Sequence, residues 1–154
     1  MSSEINVAVL GSTGYVGYEL VKMLINHPKV KINFLGCDSK INETIFSKSK
    51  NIKFSKLPNL SLNIDFDVSN SDVVFLALPH GVSHEYVRKY YNKIKIIDLS
   101  ADFRLDSKEV YNENYKTVHS CSKLLREFVY GLPEINKKLI MNKNNIAVPG
   151  CYPT

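Results

Sequence analysis

Gly11, Gly14 and Gly17 recur at three-residue spacing in the stretch GSTGYVG. Glycines between a strand and a helix permit a tight turn and let a diphosphate approach the backbone at the helix N-terminus. The spacing differs from the commoner G-x-G-x-x-G dinucleotide fingerprint, but the same physical logic applies. Ser12 and Thr13 add hydroxyl donors, and Tyr15 and Val16 complete the residues expected against a cofactor. A plain glycine-rich turn is the rival reading; the position between a strand and a helix favours the nucleotide. In ALPHGVSHE, Pro79 and Gly81 end a strand, and Gly81 or Ser83 can open the next helix. Ligands of doubly wound sheets lie at the carboxyl ends of strands, so Pro79 and His80 are expected to face the same cofactor. His80 is also a possible acid or base, although most histidines in such turns hydrogen-bond the backbone. His84 and His119 rank below it. IIDLSADFRL brings Asp98, Ser100, Asp102 and Arg104 into quick succession. A surface ion pair is the ordinary outcome for such residues. At the carboxyl edge of a sheet, Arg104 instead offers its planar fork to a phosphate or carboxylate.

Cys151 follows the apolar run NIAV and the pair Pro149-Gly150. A free cysteine is usually a small buried hydrophobe. Here it stands where a helix begins if the chain continues, and a helix N-terminus lowers a thiol pKa. A thiol near 8.5 is about 3% thiolate at pH 7, whereas one near 6 is about 90%. That is the setting of a nucleophile.

Positioning these residues requires alternating strands and helices. INVAVL (5–10) reads as a buried strand ending in glycine, and YVGYELVKMLINH (15–27) as a helix with Val16, Leu20, Met23, Leu24 and His27 on one face, stopping before Pro28. KINFLGC (31–37) is a second strand, which completes a βαβ unit with parallel strands. The pattern returns as a strand over 72–78, a helix over 81–93 and a strand over 94–100. The expected fold is α/β, a Rossmann-like doubly wound and mostly parallel sheet. Residues 39–71 are polar with weak apolar spacing and are expected to hold edge strands. Residues 102–144 carry short helical patterns, SKLLREFVY and EINKKLIM, before a strand at 145–148.

Composition narrows the function. The 154 residues have room for one domain with a real core. No apolar run approaches the roughly 20 residues that cross a bilayer, and the N-terminus carries no signal-peptide pattern, so no membrane partner and a cytoplasmic location are expected. Three cysteines without C-x-x-C spacing argue against a disulfide framework and against a metal site. The net charge of +5 is scattered, and only KSKNIKFSK (48–56) hints at a basic stripe. It reads as a solvated segment, so no nucleic-acid partner is expected, and a mildly basic surface suits small anions.

Taken together, GSTGYVGYEL, ALPHGVS, IIDLSADFRL, VYGLPEIN and PGCYPT resemble the N-acetyl-γ-glutamyl-phosphate reductases of arginine biosynthesis, relatives of aspartate-semialdehyde dehydrogenase. The resemblance implies an NADP-binding domain over 1–154 that ends at the catalytic cysteine loop, with Ser39 among the cofactor contacts. It implies Cys151 as nucleophile, with Ser100 and Arg104 at a small phosphorylated substrate. In the implied reaction the thiolate displaces phosphate from an acyl phosphate, and NADPH reduces the thioester to N-acetylglutamate semialdehyde. Two departures stand out. Val148 occupies a place where the family usually has Asn, and Asp38 one where it often has a basic residue. An acidic residue about 20 positions past the glycines holds a ribose 2′-hydroxyl, so NAD stays open beside NADP. The family continues past the cysteine into a second domain with a catalytic His and, as a complete enzyme, forms homo-oligomers. The expectation is therefore the front part of a longer enzyme, inactive when isolated. The rivals are a non-catalytic dinucleotide-binding module and a reductase of aspartyl or aminoadipyl phosphate.

Overall fold

The run INVAVL forms β1 (Ile5–Leu10), the central strand of a parallel arrangement. The computed structural model describes residues 4–39, 42–45 and 56–151, which divide into two units between Ala77 and Leu78. The first unit continues with α1 (Tyr15–Leu24), β2 (Val30–Cys37), β3 (Leu60–Leu62) and β4 (Val73–Leu76). β1 pairs with β2 on one side and β4 on the other, and β3 pairs with β2, all in parallel. The connection therefore reverses direction at β1, which makes its carboxyl end a topological switch point. Val7, Val9, Val21, Ile32, Leu35, Cys37 and Leu60 form the buried core. Strands of a parallel sheet covered on both faces read as continuous apolar runs, and β1 does.

The structure corrects α1 in two respects. The helix ends at Leu24, not His27, because the Asn26 and His27 N–H groups turn back onto the carbonyls of Met23 and Leu24. Its buried face is Gly17 and Val21, flanked by Leu20 and Leu24, whereas Val16, Met23 and His27 are exposed. The physical reason is Gly17: a Cβ there would fall 2.2 Å from the Gly11 carbonyl oxygen, so the helix docks on the one residue that lacks it.

The second unit holds α2 (Ser83–Tyr90), β5 (Lys95–Asp98), α3 (Lys108–Tyr115), β6 (Val129–Tyr130), α4 (Pro133–Met141) and β7 (Asn145–Ala147). β7 lies between β5 and β6, again in parallel. Predicted element ends over 72–100 contract by one to three residues, since the flanking backbone groups close turns instead. SKLLREFVY is not one helix: a 3-10 turn over Ser122–Glu127 gives way to β6. α3 escapes the periodicity because KEVYNENY buries only Tyr111; its start is set by Ser107, whose Oγ accepts the Val110 N–H at 3.3 Å. The polar region 39–71 supplies β3 as an outer strand beside β2, as expected, while residues 48–55 of the basic stretch lie outside the described residues. Among the described residues no helix is long and apolar enough to cross a membrane. The α/β, Rossmann-like parallel architecture read from the sequence is the one observed.

Candidate functional site

The turn after β1 is shaped by its glycine backbone and anchored by the Ser12 and Asn63 side chains. Gly11 sits at φ 76°, a conformation that favours glycine, and its carbonyl accepts the Gly14 N–H at 3.1 Å. Gly14 is the N-cap of α1 with no capping side chain, and the first turn holds no acidic residue. The positive end of the helix dipole is thus met by no charge of the first turn and is left for an external anion, which fits the diphosphate of a dinucleotide. Tyr15 and Val16, 87% and 51% exposed, flank this opening. Thr13 is exposed as well. Ser12 is not a donor to a ligand: it is fully buried, and both its N–H and its Oγ donate to the Gly36 carbonyl at 2.8 Å. It ties the turn to β2, so Thr13 carries the free hydroxyl. At the end of β2, Asp38 and Ser39 are exposed. Asp38 accepts from Asn63 Nδ2 at 2.8 Å, and Asn63 Oδ1 accepts the Gly11 N–H at 2.9 Å.

The turn after β4 differs. Gly81, at φ 84°, donates its N–H to both oxygens of Asp102, at 2.9 and 3.0 Å. Asp102 is fully buried. His80 Nδ1 lies 2.6 Å from its Oδ1, and the Tyr111 hydroxyl donates to the same oxygen at 3.1 Å while approaching His80 Nε2 at 3.2 Å. Burial, with the charge of Asp102 in support, pushes the Tyr111 phenol up to about 12. His119 accepts the Cys121 N–H on Nδ1, so its proton sits on Nε2 and is donated to the Asp102 carbonyl at 2.7 Å. His84 lies beside it, the two rings tilted by 45° with centroids 3.9 Å apart. Its Nε2 stands 3.6 Å from Asp102 Oδ2 without a hydrogen bond. Burial lowers the pKa of both imidazoles; Asp102 opposes this at each. Pro79 and His80 are the exposed rim of this cluster.

β5 ends at Asp98, fully buried, whose oxygens accept the Ser100 N–H at 3.2 Å and its Oγ–H at 2.7 Å. Burial raises its pKa to about 6 against these hydrogen bonds. Ser100 is thus engaged inside the protein, and its Oγ also accepts the Asp102 N–H at 3.1 Å. Arg104 donates from Nε to the Val148 carbonyl at 2.7 Å and from Nη2 to the Leu99 carbonyl at 3.1 Å. Val148 also donates its N–H to the Asp98 carbonyl at 2.8 Å, so the residue is held on both edges by backbone bonds that any side chain would keep. Cys151 follows at once and is exposed, whereas Cys37 and Cys121 are buried. Among the described residues no group of His, Cys, Asp or Glu is arranged to hold a metal ion.

Sequence reasoning missed Tyr111 and Asn63. Tyr111 stands in a segment with no helical periodicity. Asn63 follows the three-residue strand LSL, too short to mark a strand end. His84 and His119 were ranked low and turn out to wall a buried carboxylate.

Comparison with known proteins bears on this geometry. The family model described as the semialdehyde dehydrogenase NAD binding domain matches residues 6–143. A protein of Ehrlichia chaffeensis named N-acetyl-gamma-glutamyl-phosphate reductase is 48% identical over 155 residues, which cover 100% of this chain and 44% of the relative. One of the same name from Ehrlichia canis is 46% identical with the same coverage. The chain thus spans less than half the length of these curated relatives. Among solved structures, aspartate semialdehyde dehydrogenase II from Vibrio cholerae superposes with a TM-score of 0.71 at 21% identity, over 97% of this chain and 42% of that one. At that identity the likeness concerns the fold.

Proposed function

Because the chain belongs to the semialdehyde dehydrogenase family through its NAD-binding domain, we propose that it is the dinucleotide-binding part of an N-acetyl-γ-glutamyl-phosphate reductase. The observation that carries the reading is the exposed Cys151 directly after Val148, Pro149 and Gly150, with Val148 clamped between Asp98 and Arg104. A nucleophile must be reachable and yet held, and this loop meets both conditions.

In the proposed reaction Cys151 Sγ forms a bond to the acyl carbon of the acyl phosphate while the C–O bond to phosphate breaks. Arg104 Nε braces this loop at the Val148 carbonyl and Nη2 holds the Leu99 carbonyl; Nη1 is left to meet the charge on the departing phosphate. Ser100 keeps the Asp98 turn in place beside it. The Gly11–Gly17 turn holds the cofactor diphosphate through the open N-terminus of α1, with Thr13, Tyr15 and Val16 around it and Asp38 and Ser39 toward the adenosine ribose. Pro79 and His80 complete the proposed cofactor set. The cofactor, NADPH by resemblance with NADH admitted by Asp38, supplies the hydride when bound. The domain is proposed to run from residue 1 to 154, in a cytoplasmic enzyme that assembles from several copies and takes a small phosphorylated substrate.

The test is a chimera in which residues 1–154 replace the matching segment of the Ehrlichia chaffeensis relative. It should reduce N-acetylglutamyl phosphate, Cys151→Ala should abolish turnover, and Arg104→Lys, which keeps the charge but loses the fork, should lower kcat/KM by about tenfold or more. A folded chimera without activity, or one that survives Cys151→Ala, would overturn the reading.

A further inference from the structure

Three strand ends of the first unit meet on one buried amide. Asn63 is 3% exposed and follows β3; its Oδ1 takes the N–H of Gly11 at the end of β1, and its Nδ2 gives a hydrogen bond to Asp38 Oδ1 just past β2. The amide has one possible orientation. A backbone N–H can only donate, so Oδ1 faces Gly11 and Nδ2 faces the carboxylate. The slot is reserved for it as well, since a Cβ on Gly36 would fall 2.2 Å from Asn63 Oδ1 and 3.2 Å from Leu10 Cα.

We propose that Asn63 is a positioning residue of the dinucleotide site: it aims the Asp38 carboxylate at the adenosine ribose and so favours a free 2′-hydroxyl over a 2′-phosphate. The proposal rests on the dinucleotide reading above. A carboxylate just past the second strand of such a fold accepts from the ribose 2′-hydroxyl and repels a phosphate placed there. On an exposed side chain that discrimination is weak if the carboxylate can swing into solvent. Asn63 removes the swing by engaging Oδ1 and leaves Oδ2 for the ribose. The same amide grips Gly11, so the diphosphate turn and the ribose selector are one rigid piece. The Asp38–Asn63 pair therefore works against the NADPH preference implied by the resemblance.

Asn63→Leu keeps a similar volume, adds no charge and removes both hydrogen bonds: the loss at Gly11 weakens both nucleotides alike, whereas the loss at Asp38 frees the carboxylate and changes their ratio. Dissociation constants of NADH and NADPH are read by nucleotide fluorescence on the 154-residue chain, with circular dichroism as the folding control. Asn63→Leu and Asp38→Ser should each raise the NADPH to NADH affinity ratio by about tenfold, the worth of one hydrogen bond to a charged group. The double variant should raise the ratio no further than Asp38→Ser alone. An equal loss for both nucleotides in Asn63→Leu assigns Asn63 to structure and overturns the proposal. If that variant does not fold, Asp38→Ser decides by itself, since an unchanged ratio shows that Asp38 does not meet the ribose. A wild-type chain that binds neither nucleotide removes the dinucleotide reading first, and the discrimination with it.

Discussion

Two turns in this protein set a helix after a parallel strand, and they treat the helix N-terminus in opposite ways. After β1, Gly17 lets α1 dock closely on the Gly11 turn, and the first turn of α1 has neither a capping side chain nor an acidic residue. After β4, the chain inserts its own anion, the buried Asp102, against the Gly81 N–H ahead of α2. A helix N-terminus favours negative charge in both places; only at the first must that charge arrive with a ligand. The first turn is made by removing side chains and the second by gathering them, among them His80, His84, Tyr111 and His119.

The largest effect should come from emptying the second turn. Asp102→Ala leaves the Gly81 N–H, the His80 ring and the Tyr111 hydroxyl without their acceptor, and should lower stability in urea unfolding by about 3–5 kcal/mol. A loss under about 1 kcal/mol would mean that the cluster does not hold the turn. Gly17→Ala attacks the first turn, where the new Cβ meets backbone at 2.2 Å and α1 must shift. The expected cost is about 1–3 kcal/mol, together with loss of nucleotide binding in a calorimetric titration; unimpaired binding would detach the α1 N-terminus from the cofactor.

A pH series sharpens the contrast, because the second turn carries the titrating groups. His84 and His119 have folded pKa values below the ordinary 6.5, so the unfolded chain takes up more protons as the solution is acidified, and their contribution, full above 6.5, is lost as pH falls. Asp98 has the opposite sign. Its folded pKa is about 6 against an ordinary 3.8, so its contribution is full below 3.8 and is lost as pH rises through 6. Between about pH 4 and 6 the two trends oppose each other. Asp98→Asn should unmask the histidines and steepen the acid loss by up to about 1.4 kcal/mol per pH unit, the slope of one proton. An unchanged slope would remove Asp98 from the balance. The smallest effect is expected at Gly81. A Cβ there meets nothing within 4 Å, so Gly81→Ala costs only the left-handed conformation at φ 84°, about 1 kcal/mol. A much larger loss would show that the Gly81 N–H had left Asp102.

How far these turns were legible follows from how they are built. The first could be read because its information is local: glycine spacing after an apolar run announces a backbone that must come close to something, and β1 was read to the residue. Even there, the buried face of α1 was misread, because glycine carries no apolar signal and yet Gly17 is the docking point. The sequence by itself determined the parallel α/β architecture, the open turn at Gly11–Gly17 and the place of Cys151 after the last strand, since periodicity and glycine position act through neighbours in the chain. Only the tertiary structure decided that Ser12 turns inward, that Asp102 rather than a ligand meets Gly81, and that Asn63 joins Gly11 to Asp38. Each of those hydrogen bonds spans 21 to 52 positions. A polar side chain finds its partner by burial and geometry after the strands have aligned, and no local spacing encodes that choice.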